Sequence, residues 1–316
     1  MLLAGVGCAL VLSSLIAGAM RVGARPGNQR AEVAGLVARI KSWWVLAAVL
    51  VSVFLAGDLA VVALFAFVSL ACLREFMTLT QPPPADRAAL LTAFFLVLPA
   101  QYYLVWRGWH GWFSIFVPVY VFLALPVLAA LASDARLFLA RIAETQWGVM
   151  VCVYFLSYVP ALLSLPFPNQ AAGSAADASM NRSAGLAVFL IMVVECSDIM
   201  QYVFGKLFGR RAITPALSPA KTLEGFVGGG ACATSLGAGL WRITPFTPWQ
   251  SAALALLIVL TGFFGGLVMS AIKRDRGTKD WGHLIPGHGG MLDRADSLCF
   301  AAPVFYHLVR YLLSSR

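Results

Sequence analysis

Apolar runs of about 20 residues separated by short polar stretches recur along almost all of this 316-residue chain. A helix of that length crosses the hydrocarbon core of a bilayer, so the pattern predicts an all-α polytopic integral membrane protein with nine to ten transmembrane helices. The predicted spans are residues 2–20, 43–56, 59–73, 88–106, 112–132, 148–167, 184–204, 223–241, 248–269 and 298–314.

Polar and turn-forming residues divide these spans. Pro82-Pro83-Pro84 predicts a break after the third span, because a helix cannot continue through it. Residues 168–183, rich in Pro, Asn, Gly, Ser and Ala, are predicted to form a loop without chemistry. We divide the chain into an N-terminal span with a basic linker (1–42), N-terminal transmembrane helices (43–183) and a C-terminal catalytic region (184–316).

Composition supports a membrane location. The chain is 60% hydrophobic, with a mean hydropathy of +0.82, whereas soluble domains are about 45–50% apolar. Ten spans with the N-terminus outside would place 18 of the 23 lysines and arginines on the cytoplasmic side, as the positive-inside rule requires. The net charge of +9 therefore indicates topology, and no basic aromatic face suggests nucleic-acid binding. The six cysteines stand singly in apolar runs, without metal-site or disulfide spacing.

The densest charge lies in residues 270–296, which carry five basic and four acidic side chains in a chain only 12% charged. Lysines and arginines suit phosphate oxygens, and carboxylates suit Mg²⁺, which binds one or two of them together with substrate phosphates. The glycines around His288 allow a sharp turn and close approach to a ligand. The candidate residues in this segment are Lys273, Arg274, Lys279, Asp280, His288, Gly289, Asp293, Arg294 and Asp296.

A second group precedes this segment. Glu195 and Asp198 lie inside a predicted span, where carboxylates are costly and usually face a partner or a water-filled cavity. Ser218, Lys221 and Thr222 offer hydroxyls and an ammonium to phosphate before the next helix begins. The P-loop spacing is absent. Both charged loops, 205–222 and 270–296, are predicted on the cytoplasmic side, where they can meet.

Structural roles remain open for these residues. Aspartates in the first turn of the last helix would favour its dipole, and the basic residues could simply be positive-inside residues. Asp198 could reach the interface or pair with Lys206, and the glycines at 225 and 228–230 could serve helix packing. His288 could equally be a hydrogen-bonded turn residue.

The motifs resemble a known family. The pattern Ser270-x-Ile-Lys273-Arg274-x4-Lys279-Asp280-x-Gly282-x2-Ile285-Pro286-x-His288-Gly289-Gly290-Met291-x-Asp293-Arg294-x-Asp296 is similar to the signature of phosphatidate cytidylyltransferases (CDP-diacylglycerol synthases). Asp198-x3-Tyr202-x2-Gly205-Lys206 and Ser218-Pro219-x-Lys221-Thr222-x-Glu224-Gly225 resemble that family's other blocks, in the expected order. The motif resemblance covers about residues 190–297, and the likeness before them is only in hydropathy.

This resemblance implies transfer of CMP from CTP to phosphatidic acid, giving CDP-diacylglycerol and pyrophosphate with Mg²⁺. It leaves open a second, monovalent cation, and it implies a homodimer. We expect a bacterial inner membrane, and the bias of lysines and arginines places the active site towards the cytoplasm. Metal binding would belong to Asp198, Asp280, Asp293 and Asp296. Catalytic roles would belong to Asp280, Asp293, Lys279 and Lys221. The phosphates would contact Ser218, Thr222, Lys273, Arg274, His288, Gly289 and Arg294. Replacing Asp293 by Asn is predicted to abolish turnover without loss of folding.

Two departures from the family pattern keep other readings open. Ala295 replaces a larger aliphatic residue or Thr, and Met200-Gln201 replaces a Gly-Ala pair. The alternatives are transfer of CMP to another lipid phosphate, a CTP-dependent lipid kinase, an inactive paralogue that assists assembly, and a transporter. A transporter predicts charges distributed through several spans, whereas here they gather at one end.

Overall fold

The computed structural model describes residues 28–131, 134–165, 176–285 and 289–315. Nine helices and one two-stranded sheet follow one another in this part of the chain. They are α1 (Asn28–Ala56), α2 (Asp58–Thr80), α3 (Pro84–Trp106), α4 (His110–Ala130), α5 (Phe138–Ser164), α6 (Ala176–Phe208), β1 (Ala212–Thr214), β2 (Ser218–Thr222), α7 (Leu223–Gly239), α8 (Pro248–Asp275) and α9 (Leu292–Ser314). The all-α polytopic prediction is confirmed.

Seven helices in the described ranges are long and apolar enough to cross a membrane, namely α2, α3, α4, α5, α8, α9 and residues Ser183–Phe208 of α6. The predicted span 2–20 lies outside the described residues. The predicted spans 43–56 and 223–241 do form helix, but Lys41–Ala56 is a shorter apolar stretch and α7 has 17 residues before its 3₁₀ extension Leu240–Ile243.

Helix α5 lies at the centre of the bundle, since 78% of its most apolar 18-residue stretch is buried, more than in any other described span. Its Tyr158 is fully buried with Phe76 of α2, Phe113 of α4 and Tyr306 of α9. The N-terminal helices and the last helix therefore share one core.

The three consecutive prolines end a helix as predicted. Helix α2 stops at Thr80, Gln81 takes a left-handed backbone conformation at φ 49°, and α3 begins with a 3₁₀ turn at Pro84. Proline suits a first helical position, because the N–H group that it lacks would have no partner there.

The predicted loop at 168–183 is wrong in its second half. Helix α6 begins at Ala176, about two turns before the apolar run starts. The segment Ala176–Ser183 contains Ala, Met and Arg, which favour helix, so the helix extends beyond its apolar part. Helices α1 and α6 also run through the predicted domain boundaries at 42/43 and 183/184.

A short antiparallel hairpin follows α6 and was not predicted. Strands β1 and β2 pair Ala212 with Thr222 and Thr214 with Ser218. Thr222 then caps α7 by accepting a hydrogen bond from the Gly225 N–H at 3.1 Å. Helix α7 leads away from the hairpin and α8 returns, so the hairpin and the C-terminal end of α8 lie at the same end of the bundle.

Ion pairs tie this end of α8 to the N-terminal helices. Arg276, just after α8, contacts Glu144 of α5. Arg141 of α5 bridges Asp86 at 3.2 Å and Asp134 at 2.8 Å. In the described ranges, these ion pairs lie at the end of the bundle that holds the hairpin.

Glycines bring α7 against α6. A Cβ on Gly229 would lie 2.4 Å from the backbone N of Gln201, and one on Gly225 would lie 2.7 Å from the Gln201 O. No side chain fits there, so the two helices touch backbone to backbone. The proposed packing role of these glycines is confirmed.

We expect Gly229→Ala to destabilise the protein by about 1–3 kcal/mol, because the added methyl overpacks this contact. Unfolding of the purified variant in detergent micelles measures the effect. Gly239→Ala in the same helix is the matched control, because a Cβ there meets nothing within 4 Å. Equal stability of the two variants would contradict the packing role.

Candidate active site

The two charged segments meet, as the sequence predicted. Arg274, near the end of α8, donates from Nε to the carbonyl of Leu217 in the hairpin turn at 3.2 Å. Its second group, Nη1, donates to the carbonyl of Thr278 at 2.7 Å. Arg274 therefore holds the hairpin and the loop after α8 together, and its exposed side chain lies at the edge of the site.

Asp293, in the first turn of α9, organises the loop before it. Its Oδ1 accepts a hydrogen bond from the Lys273 Nζ at 2.7 Å. Its Oδ2 accepts from the backbone N–H of Trp281 at 2.8 Å and of Gly290 at 2.9 Å. The side chains of Asp293 and Lys273 are 5% and 11% exposed. Both oxygens are thus engaged within the protein, which gives Asp293 and Lys273 a structural role in this arrangement.

Glu75 of α2 also binds this loop, and the sequence motifs did not predict it. Glu75 accepts hydrogen bonds from the backbone N–H of Met291 through Oε1 and of Leu292 through Oε2, both at 2.9 Å. The available signal was a carboxylate near the end of an otherwise apolar span, which is costly without a partner.

Two other carboxylates stay accessible. Ser297 Oγ donates to Asp198 Oδ1 at 3.2 Å and lies 3.5 Å from Asp296 Oδ1, which also accepts from the Ser297 N–H at 2.7 Å. The side chain of Asp198 is exposed and that of Asp296 is half-buried. Neither forms an ion pair within 4 Å in the described ranges. Ser297 therefore brings together two carboxylates from α6 and α9 that remain open to a ligand.

Lys221 lies beside this carboxylate pair. Its Nζ is 5.1 Å from the centre of the Phe263 ring, and a Cβ on Gly266 would come within 2.5 Å of it. Burial lowers the pKa of the Lys221 amine, while the carboxylates of Asp296 and Asp198 raise it. The Lys221 ammonium thus lies against Gly266 of α8 and is close enough to Asp198 and Asp296 to interact with both.

The remaining predicted residues lie around these two groups. Lys279, Asp280 and Arg294 are exposed at the same end of the bundle. Gly289 has φ +84°, and a Cβ there would lie 2.8 Å from Asp293 Oδ2, so its backbone freedom serves the turn itself. His288 lies outside the described residues.

Ser218 and Thr222 belong to the hairpin. Ser218 pairs with Thr214, and the Thr222 hydroxyl caps α7. Glu195 lies within electrostatic range of Asp198, Arg294 and Asp296. Gln201, the departure from the family pattern, packs against Gly229 of α7, and its Nε2 donates to Ser197 Oγ at 2.6 Å.

In the part of the chain that the structure describes, no group of three or more His, Cys, Asp or Glu side chains is placed to hold a metal by itself. A divalent cation here would depend on one or two carboxylates and on oxygens from a ligand, which is the usual coordination of Mg²⁺ with nucleotides.

The fold and this site define a polytopic membrane protein with a polar site at one end of its helices. Comparison with known proteins gives its family, since the cytidylyltransferase family matches residues 37–312. The chain belongs to the cytidylyltransferase family and is a nucleotidyltransferase enzyme. The resemblance found from residues 190–297 is confirmed.

The relatives of this chain differ in how much of its length they match. "Uncharacterized protein YnbB" of Escherichia coli (strain K12) is 37% identical over 276 residues, covering 86% of this chain and 87% of the relative. The phosphatidate cytidylyltransferase of Mycobacterium leprae (strain TN) is 41% identical over 132 residues, 41% of this chain and 42% of the relative. That of Staphylococcus aureus (strain COL) is 39% identical over 127 residues, 39% of this chain and 49% of the relative. The aligned segment thus spans less than half of each phosphatidate enzyme.

Proposed function

We propose that the protein transfers CMP from CTP to phosphatidic acid, giving CDP-diacylglycerol and pyrophosphate for phospholipid synthesis. The observation that carries this proposal is the accessible pair Asp198 and Asp296, joined by Ser297 beside Lys221, in a chain related to phosphatidate cytidylyltransferases. We place the protein in a bacterial inner membrane with this site towards the cytoplasm, where CTP is available. The predicted excess of cytoplasmic lysines and arginines supports that orientation.

In this reaction a phosphate oxygen of the lipid forms a bond to the α-phosphorus of CTP. The bond from that phosphorus to the bridging oxygen breaks, and pyrophosphate leaves with the electron pair. No covalent enzyme intermediate is needed, so the protein contributes positioning and neutralisation of charge. Lys221, Lys279, Arg274 and Arg294 supply cationic groups for phosphate oxygens around the carboxylate pair.

The residues fit Mg²⁺. Asp198 and Asp296 offer hard oxygen ligands from two helices. Asp198 is exposed, Asp296 is half-buried, and neither forms an ion pair within 4 Å among the described residues. Asp280 lies on the exposed loop nearby as a further candidate. When bound, Mg²⁺ would neutralise charge that develops on the phosphate oxygens. We assign Asp293 and Lys273 to holding the loop, because both oxygens of Asp293 already accept hydrogen bonds.

The test uses purified protein in mixed micelles with phosphatidic acid and CTP labelled at the α-phosphorus. We expect labelled CDP-diacylglycerol and one pyrophosphate per product, with turnover lost on chelation and restored by Mg²⁺. A kinase would instead release labelled CDP and leave the lipid unlabelled. That result, or chelator-resistant turnover, would contradict the proposal.

A second candidate acceptor is favoured by the pattern of relatives. The match to the phosphatidate enzymes covers about two fifths of this chain, whereas the Escherichia coli relative matches it nearly end to end. This fits CMP transfer to a different lipid phosphate. Assays with phosphatidic acid, lysophosphatidic acid and an isoprenoid monophosphate in parallel decide between the acceptors. The predicted homodimer stays a separate prediction, tested by the mass of the micelle-embedded protein.

A further inference from the structure

Glu75 of α2 connects the N-terminal helices to the proposed active site. Its two carboxylate oxygens each accept one backbone N–H, from Met291 and Leu292, at 2.9 Å. These amides stand at the start of α9, where N–H groups have no acceptor in a preceding turn. A negative charge there is also stabilised by the helix dipole. Glu75 therefore caps α9 from a helix more than two hundred residues away in sequence.

The loop before α9 is shaped to admit this side chain. A Cβ on Gly290 would lie 2.4 Å from Glu75 Oε2, and one on Gly282 would lie 2.9 Å from Oε1. Next to Glu75, the ring of Phe76 stacks on Trp281 with a centroid distance of 5.2 Å. The two glycines thus leave room for the Glu75 carboxylate, and the stacking of Trp281 on Phe76 holds the loop against α2.

Helix α9 connects the Glu75 cap to the carboxylate pair Asp198 and Asp296. Asp296 lies about one turn after the capped amides, and Ser297 links it to Asp198 on α6. A change in the height or rotation of α9 would move Asp296 relative to Asp198. Since misplacement by about 1 Å can cost about 100-fold in rate, the cap bears directly on catalysis.

We propose that Glu75 is a positioning residue for cytidylyl transfer, holding the start of α9 so that Asp296 faces Asp198. This inference rests on the proposed function for its kinetic consequence. The contact itself, from α2 to the α9 amides, can be tested without turnover.

The kinetic test compares Glu75→Gln and Glu75→Asp with the wild type in the CTP and phosphatidic acid assay. In Glu75→Gln, an amide NH₂ replaces one carboxylate oxygen and cannot accept a hydrogen bond from a backbone N–H. One of the two hydrogen bonds that cap α9 is therefore lost. Asp keeps both acceptors but is one methylene shorter. We expect kcat to fall by about 10- to 100-fold in Glu75→Gln and by less in Glu75→Asp, with both KM values within about twofold. Glu144→Gln is the matched control, since it removes a carboxylate that pairs with Arg276 at the same end of the bundle.

The second readout is hydrogen–deuterium exchange of the intact protein in micelles. Peptides covering residues 289–295 should exchange faster in Glu75→Gln than in the wild type or Glu144→Gln, while α5 remains protected. A wild type that makes no CDP-lipid would refute the proposed function, yet exchange would still test the cap. The positioning role is refuted if kcat or local exchange stays at the wild-type value, or if both Glu75 variants lose protection throughout the fold.

Discussion

Replacing Asp296 by Asn should reduce kcat by at least about 100-fold, because a carboxylate that stabilises charge at the reacting phosphates contributes several kcal/mol to the transition state. The fold should survive, since Asp296 is only half-buried and forms no ion pair within 4 Å in the described residues. The measurement is pyrophosphate release from CTP and phosphatidic acid, alongside the unfolding midpoint of the same preparation.

Two comparisons sharpen this prediction. Asp275→Asn removes a carboxylate that is 76% exposed at the same end of the bundle and should keep wild-type kcat. Asp198→Asn should match Asp296→Asn, and the double variant should be scarcely worse than either, because residues that act as a unit are not additive. Full turnover by Asp296→Asn, or independent effects of the two aspartates, would remove the paired assignment.

The helices could be predicted from hydropathy because the bilayer forces spanning segments to be apolar and helical. The same signal fails where that constraint ends. Ala176–Ser183 extends α6 outside the apolar run, and the hairpin strands have only three and five residues. Short strands carry too little periodicity to distinguish them from a polar loop.

The site shows a similar division. Spacing and charge predicted that the two loops would meet, and the Arg274–Leu217 contact confirms that meeting. Asp293 and Asp296 were expected to share one role, yet Asp293 turns to Lys273 and the loop while Asp296 approaches Asp198. Glu75 was missed because its partners lie 216 and 217 residues away: its place in an apolar span indicates that it needs a partner but does not identify that partner.

The sequence alone predicted that Asp293→Asn would abolish turnover without loss of folding. The contacts of Asp293 with Lys273, Trp281 and Gly290 change that expectation, and we now expect this replacement to destabilise the protein. Removing one partner of a buried ion pair costs about 3–5 kcal/mol, because the other charge remains buried and unpaired. Here the Lys273 ammonium would lose its partner, and the new amide NH₂ would face either that ammonium or the N–H groups of Trp281 and Gly290.

Equilibrium unfolding in mixed micelles without CTP measures this effect separately from catalysis. The exposed loop variant Asp280→Asn is the control and should stay within about 0.5 kcal/mol of the wild type. Adding Lys273→Met to Asp293→Asn should recover part of the lost stability, because the buried charge is removed and a double-mutant cycle isolates the pair. An Asp293→Asn protein as stable as the wild type would show that Asp293 does not hold the loop, and would return it to the candidates for metal binding.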